Sequence, residues 1–553
     1  MPFTRSSNRA SLLLAAFVMA MLAADTNAQQ SKLGTVDFPT SGSEKAQAHF
    51  LRGLAALHSF WYEEAHDEFR ESTQVEPGFM MGYWGEAMAH NHPLWGEQDT
   101  EAARKVLEKI KDTQNLTVRE RAYLHAVKVL YGEGGKLARD KAYSAALETI
   151  YRDYPDDLEA ACFYALSLLG TVRPDDRGFL RQVQAGAIAL DVYQKKPNHP
   201  GAAHYIIHAF DDPEHAILAL PAARRYAEIA PEAHHAQHMP SHIFLQLGMW
   251  PEAAASNEAS WAASDQWVKR KNLPISMRDY HSLHWLLYIY LQQGCYSKAE
   301  EVLALMRQSI AEFTEADDNK RRLIYRAMTY ASMTAAFIVE TERWDLATRL
   351  FDPLPGKAER QAATQDSFDL AQPLRIFVSG LAAAVKSAAD AQKSITELRA
   401  IDKQQADTQG PPGVRISTVL EIQELEIAAV AGASKDNFNE ASEIMKKATA
   451  KEESMSPPSG PPTLIKPSHE LFGEILLHAG RPTEATQQFA TSLLRQPNRA
   501  RSLLGAARAA VQSGDTEGAA VAYANFLRQW RQGDAQLPEL HEAQDYLKRA
   551  GVR

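Results

Sequence analysis

The chain has few cysteines and, after its first thirty residues, no long apolar run. Its 553 residues include only Cys162 and Cys295, so the protein is not a disulfide scaffold. Both cysteines lie among apolar neighbours, which predicts two buried structural thiols rather than a bridge. No later apolar run has the length that a membrane-spanning helix needs, and we therefore expect no membrane span.

Common enzyme signatures and excess positive charge are missing as well. The sequence has no HExxH, no CxxC, no phosphate-binding GxxxxGK[ST] loop, no dinucleotide-binding glycine fingerprint and no GxSxG elbow. The chain contains 59 Lys and Arg against 69 Asp and Glu, for a formal charge of -10. This balance argues against nucleic acid or an anionic membrane surface as the main partner.

The first 28 residues have the pattern of a secretory signal peptide. Arg5 and Arg9 precede an apolar run at 12–24, and the small-x-small site Thr26-Asn27-Ala28 follows it. The run is too short for a membrane span, and no cysteine follows the site to take a lipid. We expect cleavage before Gln29 and a soluble mature protein that is periplasmic or secreted.

Helical patterns dominate the rest of the chain. Segments rich in Ala, Leu, Glu and Arg place apolar residues three and four positions apart, and alternating β-branched runs are absent. Short clusters of Gly, Pro and Asp separate these segments at the spacing expected of helical hairpins. The sequence therefore predicts an all-α fold.

A repeat of 34 residues is clearest near the C-terminus. A small residue, an alanine and an aromatic recur 34 positions apart, as Gly480, Ala485 and Phe489 and then as Gly514, Ala519 and Tyr523. In this pattern the chain resembles the tetratricopeptide repeat family, and the resemblance extends at irregular spacing over most of the mature chain. It implies helical hairpins stacked into a curved solenoid, because one hairpin cannot bury its own apolar face.

Composition divides the chain into five segments. We predict a signal peptide at 1–28, a histidine-rich tetratricopeptide-like domain at 29–300, irregular helical repeats at 301–455, a Pro-rich linker at 456–467 and a C-terminal repeat pair at 468–553. The linker prediction depends on the run Ser456-Pro457-Pro458-Ser459-Gly460-Pro461-Pro462, which we expect to be semi-extended. A second Gly/Pro-rich stretch occupies 410–413.

Histidine is concentrated in the N-terminal half of the chain. Of 19 histidines, 16 precede residue 285, and ten of these lie between His199 and His284. Histidine is the commonest metal ligand and the side chain best suited to proton transfer near neutral pH. Each histidine alone is better explained by packing, but so dense a group favours a shared function.

Two of these histidines are predicted to share one helix face. A helix that begins at Pro200, behind an Asn198 or His199 cap, carries His204 and His208 four residues apart. An HxxxH pair on a helix can place two imidazoles on one metal ion, although packing or surface roles account for most such pairs.

A second pair lies where Pro240 is expected to begin a helix. His238 is then at the helix entrance and His242 in the first turn, so His234, His238 and His242 do not form one continuous helical face. The positive end of a helix disfavours imidazolium. Neutral imidazole is the form that binds metal.

The repeat register connects a third pair to these histidines. Two histidines precede a glycine by 13 and 10 residues in two places: His235 and His238 before Gly248, and His281 and His284 before Gly294. First-helix positions of the tetratricopeptide family face the concave surface. The resemblance therefore implies that histidines of adjacent repeats converge across one groove.

We predict a transition-metal site on the concave face, and the candidate ligands are His204, His208, His238, His242, His281 and His284 or a subset of them. All-histidine ligation suits zinc, copper or iron, and the absence of cysteine from the group disfavours soft thiolate sites. If the metal activates water or oxygen, Glu86 and Glu474 are candidate proton acceptors, the latter only if the final repeats fold back. Neither a reaction nor a substrate follows from the sequence.

The alternative function is a non-catalytic scaffold that holds a protein or peptide in the concave groove, the usual role of the tetratricopeptide family. Histidines on such a surface can hydrogen-bond a peptide or stack with tryptophan without any metal.

Short motifs around the histidines also look like a bacterial family of exported tetratricopeptide proteins. These motifs are Asn91-His92-Pro93-Leu94-Trp95, His199-Pro200-Gly201, His204-Tyr205-Ile206-Ile207-His208-Ala209 and His238-Met239-Pro240-Ser241-His242-Ile243. The resemblance implies the fold, the export and the histidine positions, but no reaction.

Overall fold

The structure, a computed structural model, describes residues 32–173, 176, 178–313, 320–350, 371–386, 388–406 and 416–551. The predicted signal peptide at 1–28 and the Gly/Pro-rich stretch at 410–413 lie outside the described residues. Within them, the chain is an all-α, tetratricopeptide-like solenoid of helical hairpins, which confirms the predicted fold class.

The helices of the first half come in short, closely connected pieces. Helices α1 to α12 are Glu44–His58, Tyr62–Val75, Met80–Met88, Thr100–Leu107, Val118–Leu130, Lys136–Asp153, Leu158–Gly170, Leu180–Lys195, Pro200–Ala209, Ala216–Ile229, His234–His238 and Pro240–Gln246. One antiparallel strand pair follows α3, formed by β1 (Asn91–His92) and β2 (Glu97–Gln98).

The second half contains the longer helices and the regular C-terminal repeats. Helices α13 to α25 are Trp250–Lys271, Tyr280–Gln292, Tyr296–Ala311, Lys320–Thr341, Gln372–Lys386, Ala388–Ala406, Ile416–Ala433, Phe438–Glu453, Ser468–His478, Pro482–Arg495, Ala500–Ser513, Thr516–Gln529 and Pro538–Arg549. Two short 3-10 turns lie at Ile275–Met277 and Trp344–Leu346.

Small residues allow neighbouring helices to approach each other in the C-terminal repeats. Successive helices pack together there, and α21 also contacts α23 of the next hairpin. The Phe489 ring lies between Gly473 and Gly505, where a Cβ atom would come within 2.7 and 2.3 Å of it. Ala485 and Phe489 are fully buried, as expected for the repeat pattern, since stacked hairpins share one core.

The C-terminal repeats fold back onto the middle of the chain. The Trp250 indole donates a hydrogen bond to the Asn498 carbonyl at 3.1 Å, and the Asp534 amide donates to the Gly294 carbonyl at 2.9 Å. Gly294 has a φ of +69° at the end of α14, and a Cβ atom there would lie 2.5 Å from the Trp530 ring. The folded-back repeats therefore cover the ends of α12 and α14, which carry His242, His281 and His284.

A buried ion network joins the same parts of the chain. The fully buried Arg499 lies 2.8 Å from Glu470 on α21 and 2.5 Å from Glu340 on α16. Its guanidinium also donates to the Tyr288 hydroxyl on α14 at 3.3 Å. The Arg499 side chain thus connects helices α14, α16 and α21.

Both cysteines are buried free thiols, as predicted. Cys162 lies against His199, and Cys295 donates to the Gln532 carbonyl at 3.1 Å. None of the helices in the described part of the chain combines the length and the apolar character needed to cross a membrane.

Candidate metal centre

A first group of histidines comes from α9 and α11. One ring nitrogen each of His204, His208 and His235 lies within 4.8 Å of the other two, and we call these residues the first triad. The Nε2 atoms of His204 and His208 are 3.1 Å apart. As predicted, α9 begins at Pro200 behind a His199 cap, whose Nδ1 accepts from the Ala202 amide at 3.1 Å. This cap fixes the register that places both histidines on one helix face.

A second group comes from α11, α12 and α14. His238, His242 and His281, the second triad, also hold one ligand atom each within 4.8 Å of the others. The Nε2 atoms of His238 and His242 are again 3.1 Å apart. Helix α12 begins at Pro240, as expected, but Met239 keeps helical dihedral angles, with φ -54° and ψ -35°. His238 and His242 therefore stay on one face across the break.

Three histidines of the triads donate from Nδ1, the ring nitrogen that faces away from the other rings, to fixed acceptors. The Nδ1–H groups bond at 2.7 to 2.8 Å: His204 to the His58 carbonyl, His238 to Asn257 Oδ1 and His242 to Asp211 Oδ2. The Asn257 orientation is itself fixed, because its Nδ2 donates to the Ala253 carbonyl at 2.8 Å. These bonds keep the proton on Nδ1 and leave the Nε2 lone pair free, as in metal-binding histidines with an ordered outer shell.

The facing Nε2 atoms of the second triad are therefore unfavourable without a cation between them. When Asp211 is ionised, both facing nitrogens carry lone pairs, because Asn257 and the Asp211 carboxylate accept from the Nδ1–H groups of His238 and His242. Burial lowers the pKa of both rings to about 3, so a shared proton is not retained at neutral pH. A zinc ion with tetrahedral bonds of about 2.0–2.1 Å separates two ligand nitrogens by roughly 3.3 Å, which is close to the observed 3.1 Å.

All six rings of the two triads are held neutral. Burial, followed by neighbouring imidazoles, lowers the pKa of His204, His208 and His235 well below the ordinary value. The same causes lower the pKa of His281 to about 3. Each triad has one buried ring and two rings that are partly exposed.

The two triads contain five of the six predicted ligands. His284 belongs to neither group among the described residues, and its Nε2 lies 3.4 Å from the Ser332 hydroxyl. His235 is in the first triad although it was not among the predicted ligands. Its Nε2 is buried and, within the described part of the chain, has no hydrogen-bond partner. The register of the repeats singled out His235, but not the direction of its ring.

The two predicted proton acceptors are engaged elsewhere. Glu86 pairs with Arg70 at 2.7 Å, and Glu474 pairs with Lys466 at 2.7 Å. Neither carboxylate belongs to a triad in the described structure. One carboxylate that does lie beside the triads is Asp211, where burial raises the pKa to about 7. It lies in a short loop that carries no sequence signal for this role.

A third group, His58, Glu159 and His199, is a closed hydrogen-bond network. Glu159 accepts from His58 Nε2 at 2.7 Å and from His199 Nε2 at 3.1 Å, and the Tyr205 hydroxyl donates to His58 Nδ1 at 2.8 Å. Although burial alone would raise it, the two histidines hold the pKa of Glu159 below its ordinary range. Because each ring nitrogen already has a partner, this network positions His58, whose carbonyl anchors His204.

An aromatic side chain closes one side of the first triad. The Phe60 ring centre is 4.3 Å from that of His204 and 5.7 Å from those of His208 and His235. Phe60 adopts a φ of +53°, a left-handed conformation that is a genuine outlier for a bulky residue. The strained turn after α1 thus directs this ring onto the three imidazoles.

The second triad is covered by Trp285 and by the Pro-rich segment 456–467. The Trp285 ring centre lies 4.2 Å from His242 and 4.9 Å from His238. Gly460 packs on Trp285, where a Cβ atom would come within 2.6 Å of the indole. Gln246 donates both to the Pro458 carbonyl at 3.0 Å and to Asp211 at 3.2 Å. The segment is therefore connected to the hydrogen-bond shell of His242.

The comparisons with known proteins show no family for this chain. No family model matches it, and no curated protein matches it. Among solved structures, human IFIT1, a dimer with m7Gppp-AAAA, is 13% identical with a TM-score of 0.32, over 93% of this chain and 90% of that chain. Yeast Tom70 is 12% identical with a TM-score of 0.31, over 92% of this chain and 96% of that chain. The P58(IPK) TPR domain is 14% identical with a TM-score of 0.21, over 72% and 100%. Similarity at this level transfers no ligand or activity.

Proposed function

We propose that this protein binds a transition-metal ion, zinc, copper or iron, through the rings of its two histidine triads. One observation carries the proposal: in each HxxxH pair two Nε2 atoms face each other at 3.1 Å. In the second triad Asn257 and the ionised Asp211 accept from the opposite ring nitrogens, which leaves two Nε2 lone pairs facing each other. A divalent cation relieves this repulsion, and imidazole is a preferred ligand of these three metals.

The number of ligands supports a reactive rather than a purely structural site. Three protein nitrogens leave at least one coordination position open, as in catalytic zinc centres. The partial exposure of two rings in each triad supports access from solvent to that position. In a metalloenzyme this position binds the water or oxygen that the metal activates. We also propose an exported, periplasmic protein, supported by the apolar N-terminal run and its small-x-small site.

Metal analysis of the exported protein tests this function. We expect near-stoichiometric metal after desalting, and its loss in the quadruple alanine variant of His204, His208, His238 and His242. A double variant of two exposed histidines, His125→Ala with His541→Ala, serves as the matched control and should keep its metal. Circular dichroism checks that all variants fold. If the wild type retains none of the three metals even after reconstitution, the proposal is wrong.

The rival function is a scaffold that binds a protein or peptide in the groove. The repeat fold supports it, but the Pro-rich segment 456–467 already occupies the surface beside Trp285 and Gln246. Binding from a periplasmic extract in excess chelator separates the two functions. A specific protein partner that is retained without metal, and lost when the exposed face of the triads is changed, would favour the scaffold.

A further inference from the structure

We infer that the histidine triads hold two metal ions, one in each triad, close enough together for one small exogenous ligand to contact both. This inference rests on the proposed function and specifies the number of ions and the kind of ligand. Three observations support it: the division of the six rings, the distances between the triads and the position of the carboxylates.

The six ligand nitrogens do not fit a single ion as they are arranged. Around one octahedral ion with bonds of about 2.1 Å, opposite ligand nitrogens lie roughly 4.2 Å apart. Six such nitrogens would all lie within 4.8 Å of one another, but the structure meets that limit only within each set of three. Each triad instead provides the three-ligand set of a separate site.

The two sites are nevertheless adjacent. His208 of the first triad and His242 of the second have ring centres 5.9 Å apart. His235 and His238, three residues apart on α11, contribute to different triads with ring centres 6.1 Å apart. One short helix therefore supplies ligands to both sites, and the ligand nitrogens of the two ions belong to neighbouring rings.

Neither triad includes a carboxylate among the candidate ligand groups of the described residues. Asp211 lies on the outer side of His242. Asp279 lies 3.7 Å from His234, which belongs to neither triad. Two divalent cations side by side repel each other strongly in a low-dielectric site. These two carboxylates reduce that repulsion only from outside, so the remaining charge favours a small anion from solution, such as hydroxide, at the two open positions.

Copper loading of the metal-free protein tests the pairing. We expect two Cu(II) ions per chain and a paramagnetic resonance signal far below that of two spins, because a shared anion couples the two ions. His281→Ala removes a ligand of the second triad and His235→Ala one of the first. Each variant should bind one tight copper and regain a one-spin signal.

The controls separate failure of the pairing from failure of metal binding. His284→Ala changes a neighbouring histidine outside both triads and should keep two copper ions and the weak signal. Copper retained by the quadruple alanine variant is subtracted as adventitious. One tight copper in the wild type overturns the pairing and leaves the proposed function intact, whereas none overturns both. Two copper ions with the full signal of two spins would show that no ligand joins them.

Discussion

At the scale of single residues, the partner of the ring nitrogen that faces away from the triad decides what each histidine can do. His204, His238 and His242 hold their Nδ1 protons on a carbonyl, an amide oxygen and a carboxylate. In the third group both nitrogens of His58 have protein partners. The same residue type therefore serves as a candidate ligand in one place and as a support in another, depending on its outer partner.

The Asn257 amide is a support whose removal should weaken metal binding without removing a ligand. Asn257→Leu keeps the approximate volume but takes away the acceptor for His238 Nδ1–H. We expect roughly 10- to 100-fold weaker zinc binding at the second triad, measured by competition with a chromophoric chelator. Gln488→Leu is the matched control, because Gln488 accepts from His469 outside the triads at 2.8 Å. Equal affinity in both variants would contradict an ordered outer shell.

Sequence could predict which candidate histidines lie together where their positions depend on one helix. The four-residue spacing identified His204 and His208, and the repeat register pointed to His281. Sequence could not distinguish His235 from His284, because the direction of each ring depends on how α11 and α14 pack. Nor could it identify Asp211 and Asn257, which meet His242 and His238 from positions 31 and 19 residues away.

At the scale of helices and segments, Arg499 connects the C-terminal repeats to the rest of the chain. Arg499→Met leaves the buried carboxylates of Glu340 and Glu470 without this guanidinium. We expect the free energy of unfolding to fall by about 3–5 kcal/mol, the usual cost of breaking a buried ion pair. Arg508→Met removes a partly exposed pair with Glu542 and should cost about 0–1 kcal/mol. Denaturant unfolding compares the variants, and similar midpoints would contradict this role.

The Pro-rich segment 456–467 depends on one close contact. In Gly460→Ala, the new methyl group would lie 2.6 Å from Trp285, so either the segment or the indole must move. Overpacking of this kind costs about 1–3 kcal/mol, and we expect a lower melting temperature and faster proteolysis within the segment. Gly78→Ala, where nothing lies within 4 Å of the added methyl group, is the control. A segment as resistant as in the wild type would show that this contact does not hold it in place.

The helices were predictable from the sequence, whereas the folding back of the C-terminal repeats was not. Helix caps and glycine-terminated turns depend on neighbours in sequence, so Gly480 and Gly514 already marked two repeats. The hydrogen bond between Trp250 and Asn498 joins residues 248 positions apart, and no local pattern encodes it. The proposed proton acceptor Glu474 illustrates the limit, since the repeats do fold back but place that carboxylate on Lys466.

At the scale of the whole molecule, the many neutral histidines make the metal-free protein sensitive to acid. Burial lowers the pKa of a large set in the folded chain: His58, His66, His90, His92, His204, His208, His235, His238, His242, His281 and His284. Below the unfolded value of about 6.5, the unfolded chain therefore binds more protons than the folded chain. The raised pKa values of His199, Asp211, Glu426 and Glu474 act in the opposite direction, but these groups are fewer.

Stability of the metal-free protein should consequently fall as the pH drops from 7.5 to 5.5. At pH 5.5, each fully buried histidine of this kind lowers the free energy of unfolding by about 1.4 kcal/mol, and several together make stability fall steeply. The melting temperature of the metal-free protein measures this loss of stability, and zinc-loaded protein is measured for comparison. Zinc should raise the melting temperature at pH 7.5, since it binds only the folded triads, and should raise it less at pH 5.5, where protons compete for the ligands. A melting temperature that is level over this range, with or without zinc, would mean that these rings are not held neutral by the fold.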